Sequence, residues 1–194
     1  MYILPIRQLW SSWEPILMTI FVPQMSPQTL RKNARRNVPE KKTVCLIRVL
    51  AGFFSVVTIS ALTLLTYKTE LGIFLVASFG STMVLLYGYP ESPFAQPKNI
   101  FFGHFLTSIV GVIFVNFIPL PIFITIPLAV GLGVSLMIIA GVTHPPAGGN
   151  PIIVIIGSAS FDYILSPIIT GSIIVLVFGV ILNRFILKKE YPKK

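Results

Sequence analysis

Residues 122–142 read IFITIPLAVGLGVSLMIIAGV, an apolar run without a charged side chain. About 20 helical residues cross a hydrocarbon core of roughly 30 Å, so the run predicts a membrane-spanning helix. The breaker Pro119-Leu120-Pro121 precedes it, and an irregular stretch, 143–151, follows it. The rest of the chain is of the same kind. Of its 194 residues 54% are hydrophobic and 11% charged, with a mean hydropathy of +0.86. A soluble domain carries about 25% charge because its surface faces water. That balance excludes a soluble enzyme, a disordered chain and a disulfide scaffold, and Cys45, the single cysteine, has no internal partner. The fold class expected is an all-α polytopic membrane protein.

Outward from 122–142 the apolar runs are 44–66, 71–87 and 100–118 on one side and 151–160 and 164–187 on the other. Charge bias orders them. Six basic residues lie between Arg31 and Lys42, and Lys188, Lys189, Lys193 and Lys194 follow the last run. Basic clusters beside apolar segments mark cytoplasmic ends, and they also touch anionic headgroups. With six crossings both clusters and Lys98 fall inside, leaving only Lys68 outside; five crossings put the closing lysines on the wrong side. The net charge of +9 is thus a topology signal, and nucleic acid is not expected as a partner. The reading is an N-terminal interfacial or basic tail (1–43), a transmembrane domain (44–187) and a basic C-terminal tail (188–194). It sits in the inner cell membrane with both termini cytoplasmic. In the first part Pro5, Pro15 and Pro23 break the apolar pattern, and Trp10 and Trp13 suit an interface.

An internal repeat runs through the spans. Gly80–Gly88 (GSTMVLLYG) and Gly149–Gly157 (GNPIIVIIG) match at an offset of 69; Gly103 and Gly111 match Gly171 and Gly179 at 68. Three segments per unit invert the second unit, giving two inverted repeats about an axis in the membrane plane. The middle segment of each unit is short and follows small residues or prolines, as expected of a broken segment ending in a half-helix. Those half-helices are expected to begin near Ser81 and Asn150, both good N-cap residues. Their first N–H groups carry the positive end of the helix dipole and suit an anion at the midplane. The alternative is that these glycines serve only close helix packing. Inside the spans the ionisable residues are His104 and His144, with no central carboxylate or lysine, which disfavours a cation pump.

His144-Pro145-Pro146-Ala147-Gly148-Gly149 resembles the signature of the HPP family of integral membrane proteins. Phe79-Gly80-Ser81, residues 92–99 (SPFAQPKN) and Gly103-His104 resemble its other hallmarks. The likeness covers about residues 44–187. The family's signature continues with Gly-Ala, where this chain has Gly149-Asn150, and the family is described with four spans rather than six segments. Plant-chloroplast and cyanobacterial members are associated with nitrite transport, so the resemblance implies that activity.

The expected function is therefore transport of a small monovalent anion, nitrite first. Gly80, Ser81, Thr82, Gly148, Gly149 and Asn150 would bind it, His104 and His144 would line or gate its route, and Gln96, Lys98 and Asn99 would form the inner mouth. The alternative is an intramembrane enzyme or haem-binding electron carrier built on His104 and His144. No cofactor, no metal and no catalytic residue is expected under the leading reading. The partners expected are nitrite, the lipid bilayer and further copies of the chain.

Overall fold

The computed structural model describes residues 41–68 and 74–193. The expected interfacial tail lies outside the described residues, as does the turn around Glu70. In chain order the elements are α1 (Lys41–Lys68); α2 (Ala77–Met83), continued by a π-helical stretch (Val84–Gly88); α3 (Pro97–Phe117); α4 (Ile122–Ile139); a 3-10 turn (Pro145–Gly149) leading into α5 (Asn150–Ile156); and α6 (Thr170–Val180), flanked by π-helical stretches Ile164–Ile169 and Ile181–Ile186. No strand occurs among the described residues. Val49–Lys68, Pro97–Phe117, Ile122–Ile139 and Ile164–Ile186 are long and apolar enough to cross a membrane. Pro145–Ile156 is apolar but short; at about 1.5 Å per residue it reaches little more than half of a 30 Å core. Four helices among the described residues are thus long enough to span, where the charge bias predicts six crossings; the remaining two expected segments are shorter helical runs.

Local sequence sets the ends. Pro97 occupies the first turn of α3, where its missing N–H costs nothing, and α3 stops before Pro119. After α4 the chain reverses at Gly141, φ +62°, with Gly141 N–H donating to the Ile138 carbonyl (3.1 Å) and Val142 N–H to that of Met137 (3.0 Å). This is a left-handed glycine cap, and it delivers the chain to His144. Exposed Val49, Phe53, Val56, Phe123 and Ile139 give the outer surface its apolar character.

The helix starts differ from the expectation. α2 leaves extended backbone at Val76 and begins at Ala77, so Ser81 stands in its interior and does not cap it. The second helical run leaves extended backbone at His144 and begins at Pro145. Asn150 is thus also internal, and its N–H is already donated to the Ala147 carbonyl. The physical reason is that glycine and proline here sit in helical conformation rather than breaking it. Gly149 has φ −82°, ψ −12°, and Pro145 and Pro146 fit a first turn. Those prolines also remove two N–H groups, and Ala147 N–H is bonded to the His144 carbonyl (2.9 Å). The backbone donors expected of a second half-helix start are consequently spent or missing.

α3 is central, packing against α4, α5, α6 and the 3-10 turn. Four glycines permit close packing, two on α3 and two on α6. A Cβ on Gly103 would lie 3.2 Å from the Val142 carbonyl oxygen, and one on Gly171 2.6 Å from that of Phe74. A Cβ on Gly111 would lie 2.9 Å from the Val154 side chain, and one on Gly179 2.8 Å from that of Leu86. The glycines and the groups they touch are paired at one common offset, 68 residues.

Candidate functional site

Two histidines meet inside the helix packing. His104 lies on α3 and His144 at the extended position before the 3-10 turn, and both are fully buried. Thr82, on α2, stands between them: its Oγ1 is 3.0 Å from His104 Nε2 and 2.9 Å from His144 Nε2. Thr82 also reaches the Ser78 carbonyl one turn back, at 3.1 Å. The outer nitrogens are held as well. His144 Nδ1 is 2.7 Å from the Phe94 carbonyl oxygen, and Asn150 Nδ2 is 3.0 Å from His104 Nδ1. Asn150 Nδ2 also lies 3.2 Å from Thr107 Oγ1 and 3.1 Å from Ser108 Oγ. The Phe79 ring meets His104 edge-on, centroids 5.0 Å apart.

Hydrogen counting fixes the neutral form. A carbonyl only accepts, so His144 carries its hydrogen on Nδ1 and offers a bare Nε2. The Asn150 amino group donates to His104 Nδ1, so that ring carries its hydrogen on Nε2. His104 then donates to Thr82, and the Thr82 hydroxyl donates to His144. One unbroken, directed chain runs from Asn150 to Phe94. Every titratable ring in it has its partners, yet Ser78 Oγ and Asn150 Oδ1 beside it are buried without one. Buried polar atoms are normally satisfied, so these two keep unused hydrogen-bonding capacity beside the rings.

The expected residues divide. The structure brings Thr82, His104, His144 and Asn150 together. Gly148 and Gly149 lie beside them, half-buried, while Gly80 and Ser81 are on the exposed side of α2. Gln96 acts inside its own loop. Its Nε2 donates to the carbonyls of Pro90 and Ser92, both at 2.9 Å, and its Oε1 accepts from the Lys193 backbone N–H at 2.8 Å. Asn99 Nδ2 donates to the Thr143 carbonyl (3.0 Å), one residue from His144, and Lys98 is exposed beside it in the first turn of α3. The basic C-terminal tail is docked here too: Tyr191 is buried, and its hydroxyl donates to the Ala95 carbonyl (2.9 Å). Sequence reasoning missed Thr107 and Ser108, although their spacing of three and four from His104 places them on its helix face. It also missed the Phe94 carbonyl, a backbone group with no signature of its own.

The geometry bears on one part of the alternative, haem held between the two rings. Both Nε2 atoms converge on one hydroxyl and the ring centroids are 5.0 Å apart, leaving no slot for a porphyrin between them.

The family model for the HPP transmembrane region matches residues 39–192. The chain belongs to the HPP family. Two curated transmembrane proteins of Dictyostelium discoideum resemble this HPP chain. One is 34% identical over 61% of the chain and 44% of its own length; the other is 33% identical over 71% and 48%. The chain spans about half the length of the curated relatives it matches. No solved structure matches it. It is an integral, multi-pass membrane protein of this family. His144 of the signature and His104 of the Gly103-His104 hallmark stand in the buried cluster, while Thr82 and Asn150 directly follow the Phe79-Gly80-Ser81 hallmark and the signature.

Proposed function

We propose that this protein carries a small monovalent anion, nitrite first, across the membrane, with its binding position at the cluster of Thr82, His104, His144 and Asn150. The observation that carries the reading is a fully buried group of uncharged hydrogen-bonding side chains where the two short helical runs meet the central helix; the reading sets these runs at membrane depth. Irregular backbone at that depth is tolerated only inside protein or beside a cavity. Side chains, rather than helix-start amides, line the position. The Ser78 hydroxyl has no partner, and the Thr82 hydroxyl, the Asn150 amide and the imidazole N–H groups, which bond to one another at rest, exchange those bonds for the ion. Several moderate donors replace a hydration shell without trapping the ion as a fixed charge does. Lys98, exposed in the first turn of α3 next to Asn99, draws anions to that mouth.

The reciprocal glycine contacts support two inverted repeats. Gly103 meets residue 142 as Gly171 meets residue 74, and Gly111 meets residue 154 as Gly179 meets residue 86. A two-fold operation exchanges contacts in this way. Its register, 68, sets Thr82 opposite Asn150, so the two repeats contribute one polar side chain each. The charge bias places both described ends of the domain on the cytoplasmic side, and the apolar outer face of α1 suits lipid or a second copy.

The test is nitrite entry into proteoliposomes containing a nitrite reporter. Uptake above empty vesicles that falls at least tenfold in Asn150→Leu is expected. Uptake no faster than in empty vesicles, with folded and inserted protein, refutes the assignment.

A further inference from the structure

The anion reading leaves a charge unanswered. An anion desolvated inside protein at membrane depth costs several kcal/mol unless a positive charge accompanies it. The segments packed around the site supply none. α2, α4, α5, α6, the 3-10 turn and the Ile164–Ile169 stretch contain no Asp, Glu, Lys or Arg. On α3 the one charged residue is Lys98, exposed at its first turn, and on the closing stretch it is Arg184, also exposed. The loop whose Phe94 carbonyl meets His144 carries Glu91, which is exposed; the titratable groups within the cluster are therefore the two imidazoles themselves.

Resting on that reading, we propose that the His104–Thr82–His144 group binds one proton with each anion, the Thr82 hydroxyl acting as the toggle. Two hydrogen arrangements fit the same heavy atoms. In the neutral one, His104 Nε2–H donates to Thr82 and the Thr82 hydroxyl donates to His144 Nε2. When a proton arrives on His144 Nε2, both rings donate to the two lone pairs of Thr82 Oγ1, and the hydroxyl hydrogen turns to the Ser78 carbonyl, already 3.1 Å away. No heavy atom moves and no partner is lost. A second proton is opposed, because it sets two positive imidazolium rings with centroids 5.0 Å apart and, with the Asn150 amide oriented as here, turns a hydrogen on His104 Nδ1 against its amino group. The capacity is one. The proton comes from water on the entry side and returns to water on the exit side. The cluster's charge of plus one offsets the anion's minus one while it is bound, and its loss frees the anion.

The test uses the full chain in liposomes, with empty vesicles subtracted, an internal nitrite reporter and an internal pH dye. A gradient of one pH unit, inside alkaline, is expected to drive protein-dependent nitrite uptake with one proton per anion, to about tenfold accumulation at that coupling. An imposed membrane potential leaves the rate unchanged. Thr82→Val loses both fluxes at least tenfold, and Thr82→Ser restores them. Nitrite uptake that follows the membrane potential without proton entry overturns the inference and leaves the transport reading standing. If no protein-dependent nitrite uptake occurs, the transport reading falls, and nitrogen-15 NMR of the histidine rings decides the proton site separately. One proton taken up on the paired Nε2 atoms in the parent and in Thr82→Ser, but not in Thr82→Val, sustains it. Rings that stay neutral at every pH where the protein is folded, or that both charge, overturn it.

Discussion

Adding one methyl group at Gly103 tests how the cluster is held. A Cβ there would stand 2.8 Å from His144 Cβ and 3.2 Å from the Val142 carbonyl oxygen. Ordinary carbon contacts begin near 3.5 Å, so His144 must retreat by roughly 0.7 Å. Its ring is pinned on both sides, to Phe94 at 2.7 Å and Thr82 at 2.9 Å. A retreat of that size takes one of these bonds beyond about 3.5 Å, where it no longer counts as a hydrogen bond. Overpacking costs about 1–3 kcal/mol, and a lost side-chain bond within a membrane bundle about 0.6 kcal/mol more. Gly103→Ala is therefore expected to lower stability by about 2–4 kcal/mol in reversible unfolding from mixed micelles. Misplacement of this order costs a positioned site about tenfold or more in rate, so uptake should fall by at least that. Gly171→Ala, where the added carbon would sit 2.6 Å from a backbone oxygen and an aromatic carbon, should be at least as severe. Gly80→Ala and Gly131→Ala, which meet nothing within 4 Å, are the controls and should be neutral or slightly stabilising. A Gly103→Ala protein within about 0.5 kcal/mol of the parent, with unaltered His144 ring signals, would refute the argument.

Three further outcomes are expected. Lys98→Gln should slow nitrite entry at low ionic strength and lose that effect at high salt, since an exposed charge is screened within about 10 Å at 0.1 M. Tyr191→Phe should loosen the docked tail at a cost of about 1 kcal/mol, read as faster amide exchange over residues 188–193. The same tail should loosen in alkali. Burial pushes the Tyr191 hydroxyl above its ordinary range, so the neutral form is the one the fold keeps. That contribution is complete below the free tyrosine value of about 10 and fades as pH climbs beyond it; exchange that is flat across that range would contradict it.

Much of this architecture is legible in the amino-acid order. Continuous apolar runs bounded by Pro119, Pro121 and the closing lysines mark the full spans, because length and hydropathy alone decide whether a helix can cross. The two short segments are visible as polar, glycine-rich interruptions. Their starts are not, because a glycine or serine in sequence does not reveal whether the backbone has already turned helical. Ala77 and Pro145 open the helices, and Val76 and His144, neither with a capping side-chain bond, stand just before them. The cluster follows the same division. His104, His144, Thr82 and Asn150 are recognisable as polar residues in apolar surroundings. Gln96 reads equally well as a mouth residue or a loop staple until its two carbonyl partners and the Lys193 N–H are in place.

One substitution separates the structural part of His144 from its chemistry. Pro145–Ile156 is apolar but short, and the irregular backbone before it is buried in the helix packing, where its carbonyls need partners. Asn99 serves the Thr143 carbonyl and His144 Nδ1 serves that of Phe94, so both residues would be wanted for packing alone. His144→Asn keeps an N–H donor near the Nδ1 position but has no nitrogen that takes a proton. If the histidine only packs, the asparagine variant should keep both its stability, within about 1 kcal/mol, and its nitrite uptake. If the ring carries the proton, stability should survive while pH-driven uptake falls at least tenfold, and His144→Leu should lose both. Paired unfolding and uptake measurements on the two variants distinguish the cases. An asparagine variant that transports like the parent would strip His144 of any part beyond holding the Phe94 carbonyl.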